Sequence, residues 1–78
     1  MIERFKVIYT SEADEFLDRL PQKAKDKILS NIRKSKYVID PKLFKKLDGT
    51  DIWEFRTKYA GIQYRLLAFW DTATNSLV

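Results

Sequence analysis

Two alternating segments in the second half of this 78-residue chain, residues 52–59 and 62–70, constrain the fold more than any other feature. They flank Ala60-Gly61 and read as the two strands of a hairpin whose side chains allow a single register. With Tyr59 opposite Ile62, Thr57 faces Tyr64, Phe55 faces Leu66 and Trp53 faces Ala68, and every one of these tolerates burial. A slip by one residue would carry Gln63 and Arg65 into the core. The opposite face then pairs Ile52 with Phe69, Glu54 with Leu67, Arg56 with Arg65, and Lys58 with Gln63. Ala60 fits poorly, because the tightest hairpin turns favour Asn, Asp or Gly.

The first half supplies what covers the apolar face. Residues 5–9 alternate Phe5, Val7 and Tyr9 on one side and predict a short strand. Thr10 and Ser11 offer capping hydroxyls, with Asp14 placed as a capping-box partner of Ser11. Ala13, Phe16, Leu17 and Leu20 then form one helical stripe. Pro21 ends that helix and suits the start of a second, whose stripe of Ala24, Ile28 and Ile32 runs to about Tyr37. Two helices joined this tightly predict an antiparallel hairpin laid on the sheet. After the break at Asp40-Pro41, Leu43, Phe44 and Leu47 are expected to plug the core from a basic connector, and Asp48-Gly49 to turn. The expected fold is therefore α+β: a strand, a helical hairpin and an antiparallel meander in the order β-α-α-β-β, forming one domain over residues 1–78.

The net charge of +4 is unevenly placed. Residues 22–47 hold nine lysines and arginines against two aspartates, whereas the rest of the chain holds six basic and nine acidic side chains. Such a basic segment fits a polyanionic partner, since neutralising phosphates releases counterions; it is equally what a solvated helix face displays. The chain has no Cys and no His, which excludes disulfides, thiolate metal sites and imidazole catalysis from these residues. Its longest apolar run, residues 66–70, is far short of a membrane span, and residues 1–4 do not read as a leader, so a cytoplasmic location is expected.

Chemistry concentrates on the hairpin's outer face. Arg56 lies opposite Arg65 with Lys58 next door, and like charges across a ladder destabilise it unless an anion joins them. Glu54, diagonal to Arg65 and two residues from Arg56, offers that compensation, which would make the group a surface ion-pair network. The alternative is an anion site, in which arginine forks match phosphate oxygens and Lys58 adds a point charge.

The stretch from Phe44-Lys45-Lys46-Leu47-Asp48-Gly49 through Trp53-Glu54-Phe55-Arg56, followed by Tyr64-Arg65-Leu66-Leu67-Ala68-Phe69-Trp70, resembles the RelE/ParE toxin superfamily, in particular its HigB-type, phage-related Gp49-like branch. The resemblance implies the toxin of a type II toxin–antitoxin system. Such a toxin acts on the ribosome as an mRNA endoribonuclease without a cofactor, and a cognate antitoxin, HigA-like with a helix-turn-helix, neutralises it. It further implies that Arg56 and Arg65 grip the scissile phosphate and that Lys58 is a second clamp, or a base if desolvated. Lys45 and Lys46 are then expected to hold RNA backbone. Trp53 and Phe55 belong to the core in this register and are not assigned to base stacking. Family members usually continue with another strand and a helix, of which Leu77-Val78 looks like the opening. A truncated domain with an open sheet edge and weak or absent RNase activity is therefore expected of these residues alone.

Two other readings compete. One is a ParE-like inhibitor of DNA gyrase, against which the cluster of Arg56, Lys58 and Arg65 argues. The other is a non-catalytic module that binds antitoxin or RNA, with apolar Ile52, Leu67 and Phe69 as a docking patch.

Overall fold

Of the two candidate hydroxyls it is Thr10 that caps the first helix, accepting the N–H of Ala13 at 3.1 Å, so Ser11 is already helical and the expected capping box of Ser11 with Asp14 does not form. The computed structural model describes residues 3–71 and Ser76–Leu77. In chain order its elements are β1 (Lys6–Val7), α1 (Ser11–Asp18), α2 (Gln22–Ser35), β2 (Phe44–Lys46), β3 (Ile52–Tyr59), β4 (Ile62–Asp71) and β5 (Ser76–Leu77). They form an α+β fold with one sheet in the order β1-β5-β4-β3-β2.

Pro21 precedes α2 in extended backbone, so the second helix starts directly after the first. Asp18 and Lys25 tie the two across the joint at 2.7 Å. Ala24, Ile28 and Ile32 are buried, and Ser35 completes their stripe by donating its hydroxyl to the Asn31 carbonyl at 2.9 Å. The C-terminus of α2 is closed by Arg4, whose guanidinium donates to the carbonyls of Ser35 and Val38, satisfying groups that a helix end leaves open. In α1 only Leu17 is fully buried; Phe16, on the expected stripe, is 40 % exposed because eight residues present too narrow a face to cover it.

The hairpin register is the one the side chains demand, from Tyr59 opposite Ile62 through Arg56 opposite Arg65 to Ile52 opposite Phe69. Phe55 and Ala68 on its inner face join Phe5, Leu17, Ile28 and Ile32 in the core, with Trp53, Tyr64 and Leu66 packed against them. Thr57 is buried too, accepting the side-chain amide of Asn31 at 3.1 Å. The tip takes positive φ at both Ala60 (51°) and Gly61 (79°), the requirement of a type I′ turn, so Ala60 sits where an Asn or Gly is favoured.

One further expectation needs correction. The segment around Phe44 is not a plain connector: Phe44–Lys46 is strand β2, paired antiparallel with β3. Phe44 stacks on Trp53 and Phe55 at ring separations of 4.8 and 4.5 Å and lies 5.3 Å from Phe5, so aromatic packing draws its backbone onto the sheet edge. The closing strand is present in part, as the reading of Leu77 in its opening implies. Ser76–Leu77 lies between β4 and β1, antiparallel to the former and parallel to the latter. Val78, expected to open that strand with Leu77, lies outside the described residues. Because β5 meets β4 only at Trp70 and Asp71, no strand among the described residues covers the edge of β4 away from β3 over residues 62–69, and the expected open edge stands along most of its length. Among the described residues no helix is long and apolar enough to cross a membrane.

Candidate functional site

On the outer face of the sheet, Lys45 of β2 lies opposite Glu54 of β3, and Arg56 of β3 lies opposite Arg65 of β4. Alternation along the strands puts these side chains on the surface turned away from the helices. Glu54 binds the group together. Its Oε1 is 3.1 Å from Nε of Arg56 and 3.8 Å from Nε of Arg65, with the Glu54 side chain only 13 % exposed. Arg56 is half-buried and its Nε is sealed from water; the contact with Glu54 is a close ion pair without hydrogen-bond alignment. Arg65 is the more open of the two, its side chain 58 % exposed. One carboxylate thus offsets part of two guanidinium charges while each fork keeps a second edge for another anion.

Lys58, on the same face opposite Gln63, is exposed and so lacks the dry surroundings on which a base role depends. Lys45 belongs to this face as well. Lys46 does not: it pairs with Trp53, which sends it to the helix side of the sheet, where its Nζ is 4.0 Å from Asp51. It lines a larger, mainly apolar cavity of about 810 Å³ formed by Phe5, Phe44, Trp53 and Trp70, away from the arginine pair. Sequence neighbours expected to act together are therefore separated by strand alternation.

The sequence reading missed a second cationic surface. β2 runs out where the backbone N–H of Arg56 donates to the Leu43 carbonyl at 2.7 Å, and beyond that point a groove of about 510 Å³ opens beside β3. Lys27, Asn31 and Lys34 of α2, Lys42, Arg56, Lys58 and Gln63 line it together with Asp40. The available signal was the spacing of Lys27, Asn31 and Lys34, one helical stripe next to the buried stripe of Ala24, Ile28 and Ile32. It shows which face of α2 adjoins the core, but the partner strand edge is distant in sequence.

The family model for phage derived protein Gp49-like (DUF891) matches residues 15–78. The chain belongs to the Gp49-like family. This is a RelE/HigB-like toxin family associated with toxin–antitoxin systems, and membership implies a cognate antitoxin as partner. No curated protein and no solved structure matches the chain at a significant level. The Gp49-like match takes in α2, the whole hairpin and every cation of the outer face and the groove, so the residues of interest all lie within it.

Proposed function

We propose that this chain is the toxin of a type II toxin–antitoxin system and acts in the cytoplasm as a ribosome-dependent mRNA endoribonuclease. Its activity is held in check by a HigA-like, helix-turn-helix antitoxin. The observation that carries this reading is the placement of Arg56 directly opposite Arg65, with Lys58 alongside, on an exposed sheet face within a toxin family. RNA supplies its own nucleophile. The 2′-hydroxyl loses its proton and attacks the adjacent phosphorus, the bond to the 5′-oxygen breaks, and a cyclic phosphate and a 5′-hydroxyl remain. Negative charge gathers on the phosphate oxygens in the transition state, and fixed cations around it lower the barrier. Arg56 and Arg65 grip the scissile phosphate by the edges that Glu54 leaves available, and Lys58 is the mobile second clamp. Lys45 holds neighbouring backbone on the same face. Lys46 takes an RNA or ribosomal contact only by reaching round the edge of β2.

The test is to map cuts in mRNA on translating ribosomes by primer extension. Arg56→Ala and Arg65→Ala are each expected to reduce cleavage by about 10²–10³-fold, the cost of removing a transition-state donor. Antitoxin binding should survive both changes. Cuts that persist in both variants overturn the assignment, and growth arrest with inhibited gyrase supercoiling and intact mRNA moves the target to DNA topology. One observation favours a second reading, a non-catalytic binder of antitoxin or RNA: Glu54 already compensates the arginine pair. Absence of both cuts and growth arrest from the unaltered protein selects it.

A further inference from the structure

Most cationic side chains among the described residues form no ion pair, and four of these gather around one groove. Lys25 is held by Asp18, Lys46 by Asp51, and the arginine pair by Glu54. Among the described residues, Lys27, Lys34, Lys42 and Lys58 form no ion pair, and all four are exposed around one groove. Asp40, the one carboxylate lining it, accepts the backbone N–H of Lys42 at 3.0 Å. Four ammonium groups and the Arg56 guanidinium therefore converge on one cleft with a single acidic side chain among them. Charges so placed repel one another until an anion enters, and a cleft between low-dielectric walls focuses that field outward.

The groove is continuous with the outer face, because Arg56 and Lys58 belong to both. A chain of phosphates seated on the arginine pair meets the groove by crossing the edge of β3 at the point where β2 ends. A ligand with one phosphate leaves most of these cations unused, whereas a flexible polyphosphate strand engages them in turn. Asn31 adds a polar handle: its amide Nδ2 donates to Thr57, and its Oδ1 is the atom suited to accept from a ribose 2′-hydroxyl. We propose that this groove is a second seat for single-stranded RNA backbone, flanking the phosphate at Arg56 and Arg65, with Lys27, Lys34 and Lys42 as its phosphate contacts. The assignment extends the RNA reading given above to a surface that the arginine cluster does not include.

Binding of a fluorescein-labelled ten-nucleotide RNA, followed by anisotropy over a range of salt concentrations without ribosomes, tests it separately from cleavage. In the double variant Lys27→Gln/Lys34→Gln the slope of log affinity against log salt should fall by about 1.4, the effect of two lost contacts to a single strand. Affinity should drop by roughly tenfold at low salt. The control Lys6→Gln/Lys23→Gln removes the same charge from exposed positions outside the groove and should leave the slope nearly unchanged. Equal losses in the two double variants, an unchanged slope in the first, or tighter binding of a DNA duplex than of the RNA each overturn the proposal. If the groove variant behaves as expected while the unaltered protein makes no ribosome-dependent cuts, the groove stands and the nuclease reading falls.

Discussion

The two faces of the β3–β4 hairpin share one backbone, one register and one turn, yet they answer to opposite demands. The inner face places Phe55, Thr57 and Ala68 almost wholly out of water, and its polar member is hydrogen-bonded to Asn31. On the outer face Leu67 and Phe69 are about 60 % exposed and two guanidiniums are kept opposite each other. The first arrangement gains free energy from burial; the second gives up cross-strand stability to hold charge in position. Strand alternation lets a short hairpin do both, because adjacent residues never share a face.

The largest expected effect lies on the inner face. Phe55→Ala should cost about 3–5 kcal/mol in urea denaturation, a large share of the stability of any small domain. Leu67→Ala, on the other face, should cost under about 1 kcal/mol. Comparable losses in the two variants would mean that the outer face is covered in solution.

Next comes the carboxylate that organises the outer face. Glu54→Gln should destabilise by about 1–3 kcal/mol, since it leaves the sheltered Arg56 Nε beside a neutral group. Arg65→Gln should cost less than about 1 kcal/mol, as expected of an exposed partner. The same Glu54 variant should bind RNA more tightly, with one negative charge gone from the anion site; weaker binding would show that its placement of the arginines outweighs its charge.

At the turn, Ala60→Asn should raise stability by about 0.5–1 kcal/mol by suiting the positive φ. Gly61→Ala should lower it by about 1 kcal/mol although an added Cβ meets no atom within 4 Å, because the penalty is conformational. A null result at both sites would place the turn outside the cooperative unit.

The smallest effect is alkaline. Burial, with Asp14 adding and Arg33 opposing, raises the Tyr9 pKa above its ordinary 10.0. The hydrogen bond to Asp18 raises that of Lys25 above 10.5. In both cases the folded state holds its proton more tightly than the unfolded chain. Their contribution is therefore complete below about pH 10 and declines as the pH climbs through the raised values. Tyr9→Phe should flatten the fall in melting temperature between about pH 9 and 11, relative to the unaltered protein.

Much of this fold was legible because both hairpin faces agreed. Shifting the pairing by one residue buries Arg65, so the register followed from side-chain chemistry alone, and with it the meeting of Arg56 and Arg65. The strand at Phe44 was not legible. Three residues of which two are lysines carry no alternation, and the strand exists because Phe44 finds Trp53 and Phe55, partners that tertiary packing supplies. The opposite destinations of Lys45 and Lys46 follow from that strand and were hidden with it. The groove was hidden for a different reason: it joins lysines of α2 to an edge of β3 that becomes an edge only where β2 stops.

The parallel pairing of β1 with β5 also sets an order of assembly. Lys6 finds its ladder partner in Ser76, seventy positions further along. A nascent chain therefore displays β1 long before the element that clasps it exists, and closing so wide a loop comes late and slowly. Until then β1 is held to the rest of the molecule by Phe5 in the core and by Arg4 at the end of α2.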